Sequence, residues 1–262
     1  MCNKLQQKLT SFKERQNPYQ KEALKTIFCY CWFVIFLSLG LCVIELYFLK
    51  GISSGALDRI FADNYLFLNI SDPTWQSMYA MNFLHNWNGL THLSGNILGF
   101  IIGYIVLSLS YYCRAKKDLY FSKYYFFWFF LFCLTIFPFL IAGITLLFPG
   151  DVLSSVGFSG IVCVVFGAAG GMSIYPLYHL FASRKDISDL NIVLLPLIIW
   201  VSAIVVFTFG MICLNLTGIE PGVNYQGHIG GIIIGFVFTF GIDMITRWKR
   251  RKDSEKIKSG TE

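Results

Sequence analysis

The sequence predicts an all-α protein that lies in a lipid bilayer. Of its 262 residues, 55% are hydrophobic and 14% are charged, and the chain contains 26 Phe and 14 Tyr. A typical soluble domain carries about 25% charged residues. Six stretches are almost free of charge and long enough to cross a hydrocarbon core as helices, which takes about 20 apolar residues. They cover residues 27–49, 93–113, 124–148, 156–176, 190–214 and 221–242.

We therefore predict six transmembrane helices in one bundle, with no second soluble domain. The first apolar run starts near residue 27, is interrupted only by Glu45 and has no small-residue cleavage site at its end. We expect it to stay as a helix and not to be removed as a signal peptide. The chain then divides into a basic tail (residues 1–26), a membrane domain (residues 27–247) and a second basic tail (residues 248–262).

The basic residues predict how the bundle is oriented. Six Lys and Arg precede the first span, four lie between spans two and three, two lie between spans four and five, and seven follow residue 246. Only Lys50 and Arg59 remain for the other loops. Because cytoplasmic loops are enriched in Lys and Arg, we expect both termini in the cytoplasm of a multi-pass protein of the cell membrane. The net charge of +6 then reflects topology and contact with the bilayer, and it does not indicate a nucleic-acid partner.

The eight cysteines indicate neither a disulfide framework nor a metal site. Seven lie in or at the ends of the spans, Cys2 lies in the N-terminal tail, and none forms a CxxC or a zinc-binding spacing. We interpret them as apolar side chains.

Polar groups within the spans are functional candidates, because lipid offers them no partner. Ser159 lies near the start of span four, although a lone membrane serine often bonds only to the carbonyl one turn earlier. His92 and Asn96 are four residues apart at the start of span two, so they share a helix face. An interhelical hydrogen-bonded pair would also explain them. His228 lies at the start of span six, where a single histidine is commonly structural.

The two acidic residues of the spans have a simpler interpretation. Glu45 and Asp243 both lie near span ends, where a carboxylate can reach the interface. Asp243 also precedes Arg247 by four residues, which predicts a salt bridge within one helix.

Depth along the membrane brings the polar candidates together. Spans two, four and six all run from outside to inside in the predicted topology, so Ser159, His92, Asn96 and His228 lie at one level near the external face. Glycines on the same spans allow helices to approach closely, and a Ser–His hydrogen bond of about 2.6–3.2 Å requires such proximity. These glycines are Gly95, Gly99 and Gly103 on span two, Gly160, Gly167, Gly170 and Gly171 on span four, and Gly227, Gly231 and Gly235 on span six.

Three motifs stand out at the starts of the predicted spans: His-x-x-x-Asn at residues 92–96, Gly-Phe-Ser-Gly at residues 157–160, and His-x-x-Gly-x-x-x-Gly at residues 228–235. In this order, and over about residues 27 to 247, they resemble the motifs of the rhomboid intramembrane serine proteases. The resemblance implies that Ser159 is the nucleophile and His228 its general base and later acid. It implies an oxyanion hole made by His92, Asn96 and the Ser159 backbone N–H. Helix packing would fall to Gly157, Gly160, Gly231 and Gly235.

The resemblance also implies a six-helix rhomboid-like fold, transmembrane protein substrates, and no cofactor or metal ion. A helix N-terminus suits the oxyanion role independently, because its unpaired N–H groups and positive dipole end stabilise developing negative charge.

The chain departs from the family pattern in three places: Trp75 is followed by Gln76 and not by Arg, Cys163 stands where an aromatic residue is common, and His85 precedes His92 by seven residues.

Two other classes of protein stay open as alternatives. A non-catalytic rhomboid-like protein that binds membrane proteins would not need Ser and His at one depth. A small transporter would carry buried charge along its pathway, and the spans contain almost none. No HExxH motif indicates a zinc protease, and a pair of acidic residues suited to an aspartyl protease is missing.

Overall fold

The computed structural model describes residues 18–58, 61–62, 65–85, 89–116, 124–148, 154–155, 157–183, 194–195, 197–202, 205 and 224–259. Two short strands, β1 (Leu68–Asn69) and β2 (Ser154–Ser155), form an antiparallel ladder that pairs Leu68 with Ser155. The helices are α1 (Pro18–Ser53), α2 (Trp75–Ala80), α3 (Gly89–Lys116), α4 (Tyr125–Thr135), α5 (Phe137–Leu147), α6 (Ser159–Ser183) and α7 (Tyr225–Ser259).

The described chain is mostly helical and has the character of a membrane protein. Three helical segments are long and apolar enough to cross a bilayer: Pro18–Ser53, His92–Ala115 and Tyr225–Thr246. The pair α4 and α5 adds a fourth if the two helices together form one span. These segments coincide with predicted spans one, two, six and three. The predicted span at residues 190–214 and the outer parts of both tails lie largely outside the described residues.

Helix α6 occupies the centre of the bundle. All side chains from residue 157 to residue 173 are buried, which is typical of a helix that is apolar on every face. Helix α6 packs most extensively against α7 and next against α3. The three helices that carry the polar candidates are therefore neighbours in the structure.

The predicted third span is divided into two helices that meet at an angle of 51°. Pro138 explains the break, because proline has no N–H and its ring clashes with the carbonyl four residues earlier. That carbonyl, on Leu134, accepts a hydrogen bond of 2.8 Å from the Tyr79 hydroxyl. The carbonyl of Pro138 accepts another, of 3.2 Å, from the side-chain amide of Asn82. The segment that contains α2 is thus attached to the bend by two hydrogen bonds.

A buried ion pair joins the far ends of α3 and α7. Arg114 donates to the carboxylate of Asp243, and both side chains are buried. One turn away, the hydroxyls of Ser110 on α3 and Ser173 on α6 lie 2.8 Å apart. Asp243 is therefore bonded across the bundle, which the interpretation of a carboxylate reaching the interface did not anticipate.

Candidate active site

Ser159 and His228 meet at the N-terminal ends of α6 and α7. The Ser159 hydroxyl oxygen lies 2.7 Å from Nε2 of His228, which is a hydrogen-bond distance. Ser159 is buried, and His228 is partly buried. When the imidazole is neutral with its proton on Nδ1, the serine hydroxyl donates to Nε2, which is the arrangement in which histidine can remove the serine proton.

Asn224 holds the histidine end of this pair in place. Its side-chain oxygen accepts a hydrogen bond of 2.8 Å from the Gly227 N–H, so it caps the N-terminus of α7. Its backbone carbonyl accepts from the His228 N–H at 3.2 Å. Its side-chain nitrogen donates to the Thr145 hydroxyl on α5 at 2.9 Å. The first turn of α7 is therefore anchored to a neighbouring helix directly beside His228.

At the serine end of the pair, the segment that precedes Ser159 is held by contacts of its own. The Gly157 N–H donates to the Met81 carbonyl at 2.6 Å. The ring of Phe158 is fully buried and packs against Phe100, with ring centroids 5.1 Å apart. The ladder between β1 and β2 connects the chain just before this segment to the stretch between α1 and α2. The start of α6 is consequently fixed by contacts that precede the helix.

His92 lies next to this segment at Gly157. Gly157 has a φ of +129°, which a residue with a side chain rarely adopts. A Cβ at this position would lie 3.2 Å from Nε2 of His92 and 3.8 Å from the Ser159 hydroxyl oxygen. Glycine thus allows both the backbone turn and the close approach of the histidine ring. The structure brings His92, Gly157 and Ser159 together.

Asn96 is buried and hydrogen-bonded to a residue that the sequence analysis did not assign to the site. Its side-chain nitrogen lies 2.9 Å from Nε2 of His85. His85 in turn contacts Glu45 of α1, whose carboxylate accepts the His85 backbone N–H at 3.1 Å. The prediction that Glu45 reaches the membrane interface is wrong, because the side chain is fully buried among protein atoms.

Glycines bring α6 and α7 into backbone contact behind the Ser–His pair. A Cβ on Gly231 would fall on the Gly160 carbonyl, and a Cβ on Gly235 would fall on the Val164 carbonyl. From α6, a Cβ on Gly167 would fall on the Ile232 carbonyl. Because no side chain separates the helices at these positions, the short side chain of Ser159 can reach a residue on α7.

The other predicted glycines differ in which helix they contact. A Cβ on Gly160 would lie 2.9 Å from Ile141 of α5, so this glycine also serves the contact between α5 and α6. On α3, a Cβ at Gly103 would lie 3.1 Å from Val165, whereas one at Gly95 would meet no atom of the described residues within 4 Å. Within the part of the chain that the structure describes, the predicted glycine ridge on α3 therefore contacts α6 at Gly103 but not at Gly95.

The start of α6 also presents backbone donors to the site. The Val162 N–H bonds to the Phe158 carbonyl, which makes Ser159 the first residue of the helix. The first N–H groups of a helix have no acceptor within it. Ser159 therefore stands at the end of α6 that carries unbonded backbone N–H groups and the positive end of the helix dipole.

Of the residues near the pair that were not assigned to the site, Asn224 and Glu45 had recognisable signals in the sequence, whereas His85 had none. Asn224 lies near the start of predicted span six and directly before Tyr225, the first residue of α7, and asparagine is a preferred N-cap residue. Glu45 is a lone carboxylate within an apolar run, and such a residue is a functional candidate by default. His85 had no partner within reach along the chain, so only the three-dimensional arrangement connects it to the site.

No family model, no curated protein and no solved structure matches this chain. Within the residues that the structure describes, no group of three or more His, Cys, Asp or Glu side chains is arranged to hold a metal ion. The class that the fold supports is that of a helical membrane protein, with three or four helices suited to spanning a membrane among the described residues.

Proposed function

We propose that this protein is an intramembrane serine endopeptidase of the rhomboid type. The observation that carries the proposal is the distance of 2.7 Å between the Ser159 hydroxyl oxygen and Nε2 of His228, at the ends of two closely packed helices. A hydroxyl bonded to an imidazole is the arrangement that activates serine as a nucleophile. The resemblance of the three sequence motifs to the rhomboid proteases supports the same assignment.

The reaction follows from the positions of these groups. His228 accepts the proton of Ser159 while the serine oxygen attacks the carbonyl carbon of the scissile peptide bond. The carbonyl oxygen becomes an oxyanion, and His228 then donates the proton to the departing amine, which leaves an acyl-enzyme ester on Ser159. A water molecule, deprotonated by His228, hydrolyses the ester and releases the second product. No step requires a cofactor.

The oxyanion is stabilised by donors from two helices. They are the Ser159 backbone N–H and the side chains of His92 and Asn96. Each such donor contributes most in the transition state, when the oxygen carries its charge. The support for His92 is its 3.2 Å approach to the Cβ position of Gly157. The support for Asn96 is its burial beside His85, which also approaches the Phe158 N–H at 3.5 Å.

We further propose six spans with both termini in the cytoplasm, which follows from the distribution of basic residues. The site then faces the external side, and the substrates are single-span membrane proteins cleaved near the external end of their span. Helical carbonyls are shielded, so the bond to be cut must unfold locally. Small or helix-breaking residues near that bond favour unfolding.

The decisive experiment uses the purified full chain in detergent and in liposomes with a model single-span substrate. The parent protein cleaves the substrate and is labelled by a fluorophosphonate, whereas Ser159→Ala does neither. His228→Ala retains its fold but not its cleavage activity. Ser202→Ala is the matched control, because Ser202 is an exposed serine of the helical segment at residues 197–202, and it retains both activities. Cleavage by Ser159→Ala at the parental rate would refute the proposal.

A further inference from the structure

A buried chain of polar side chains leads from α1 to the candidate oxyanion hole. Glu45 and His85 are 0% exposed, and Asn96 is 4% exposed. The carboxylate of Glu45 accepts the His85 backbone N–H at 3.1 Å, and the same oxygen lies 3.7 Å from Nδ1 of the His85 ring. On its other side the ring contacts the side-chain nitrogen of Asn96 at 2.9 Å.

The surroundings of the His85 ring determine which nitrogen carries the proton. Nε2 faces the Phe158 backbone N–H at 3.5 Å, and a backbone N–H can only donate. Nε2 is therefore an acceptor, and the Asn96 contact must also be a donation, from the amide N–H to Nε2. A neutral ring then carries its proton on Nδ1, the nitrogen that faces the carboxylate of Glu45. Glu45 thus favours this tautomer of His85 by electrostatic attraction across a buried gap.

The orientation of the Asn96 amide follows from this tautomer. One of its two amide protons is bonded to Nε2 of His85, and the second remains available to another acceptor. The opposite tautomer of His85 would place an N–H against the Phe158 N–H, which is repulsive, and it would favour a turned Asn96 amide whose oxygen faces the ring. The same ring therefore orients Asn96 and contacts the residue that precedes Ser159.

We propose that Glu45 and His85 are positioning residues that hold the Asn96 amide in the orientation required to bind the oxyanion. This inference rests on the proposed function, since it concerns the same reaction. Glu45 sets the tautomer and backbone position of His85, and His85 sets the rotamer of Asn96. The carboxylate of Glu45 acts on Asn96 through His85, and the proposal requires no contact between Glu45 and the Ser–His pair.

A purely structural role would give a different result. Glu45 and His85 also attach the first external loop to α1, so their loss could simply loosen that loop. In that case the loss of activity would be independent of Asn96, and it would be accompanied by weaker substrate binding or a lower melting temperature. A positioning role acts only through Asn96, so it reduces kcat and leaves KM almost unchanged.

The test is a double-mutant cycle on the full-length protein in detergent, with cleavage of the model substrate as the measurement. His85→Ala lowers kcat by roughly 10²-fold, the penalty typical of a catalytic group misplaced by about 1 Å. The double variant of His85→Ala with Asn96→Ala is no slower than Asn96→Ala alone. His85→Gln restores most of the rate, because the glutamine oxygen can accept from Asn96 where Nε2 did. Glu45→Gln, which keeps the acceptor for the backbone N–H, lowers kcat by less than His85→Ala.

The outcomes separate the two proposals. If the double variant shows the product of the two single losses, or if His85→Ala matches the parent or changes only KM, the positioning role is refuted and the proposed function stands. A parent protein that neither cleaves the substrate nor reacts with a fluorophosphonate at Ser159 refutes the proposed function and, with it, this inference. Melting temperatures of the variants show whether a loss of rate reflects loss of the fold.

Discussion

Replacing Gly235 by alanine tests whether the contact between α6 and α7 sets the geometry of the Ser–His pair. A Cβ on Gly235 would fall on the Val164 carbonyl and lie 2.8 Å from the Ala168 nitrogen. Favourable contacts of this kind begin at about 3.5 Å. Both neighbours are backbone atoms of a buried helix and cannot rotate away, and the Val164 carbonyl oxygen is the closer of the two, so α7 must move outward by more than about 0.7 Å at this level.

The displacement bears directly on the candidate site. His228 lies two turns before Gly235 on the same face of α7, because seven residues are close to two helical turns. A shift of more than about 0.7 Å directed along the bond lengthens the hydrogen bond between Ser159 and His228 from 2.7 Å to more than about 3.4 Å, beyond the usual limit of about 3.2 Å. A misplacement of about 1 Å costs roughly 10²-fold in rate, so we expect kcat to fall by roughly 10- to 10²-fold.

The same substitution also changes stability. Overpacking a closely packed contact costs typically about 1–3 kcal/mol, while replacing glycine by alanine within a helix contributes up to about 1 kcal/mol in the opposite direction. We expect Gly235→Ala to lower the melting temperature, because the steric cost exceeds the gain in helix propensity.

Gly241→Ala on the same helix is the matched control. A Cβ at Gly241 meets no described atom within 4 Å, so this variant gains helix propensity without a clash. Cleavage rates and melting temperatures of both variants, measured in the same detergent, provide the comparison. If Gly235→Ala is as active and as stable as Gly241→Ala, the reasoning from backbone contact to active-site geometry is refuted.

Three further predictions concern the oxyanion donor, the buried ion pair and the topology. Asn96→Ala lowers kcat by roughly 10²–10³-fold with little change in KM, because the other donors remain; parental activity, or a change in KM alone, would leave Asn96 a structural residue. Asp243→Ala destabilises the protein by about 3–5 kcal/mol, since it leaves the charge of Arg114 buried and unpaired; a melting temperature within about 1 °C of the parent would contradict this. A cysteine placed at Gly222 reacts with an impermeant reagent from outside the cell, and one at Lys252 does not; the reverse pattern would overturn the topology.

Much of the helical framework could be predicted from the sequence because burial in a membrane depends on composition over a local window. The apolar runs that become α1, α3 and α7 each exceed the length needed to cross a bilayer. The bend between α4 and α5 could also be predicted from the sequence, because Pro138 lies inside the third apolar run. What could not be predicted is the partner of the freed carbonyl, the Tyr79 hydroxyl, which comes from α2, 55 residues earlier in the chain.

The candidate site was only partly predictable. Ser159, His92 and His228 each lie in the first turn of a helix, and helix starts can be located from the ends of the apolar runs. That Ser159 and His228 lie close together could be expected from the glycines that allow α6 and α7 to touch. The role of His85 could not be derived, because its contacts to Glu45 and Asn96 span 40 and 11 residues along the chain.

The sequence by itself determined that the chain is a helical membrane protein and which polar groups stand at the ends of its helices. These properties follow from hydrophobic transfer and helix periodicity, which act over one or two dozen neighbouring residues. Only the tertiary structure decided that Ser159 and His228, 69 residues apart, lie within 2.7 Å. It also decided that Glu45 faces His85 and that Asp243 faces Arg114. A hydrogen bond or ion pair depends on atomic positions to within a few tenths of an ångström, and only the packing of whole helices against one another sets those positions.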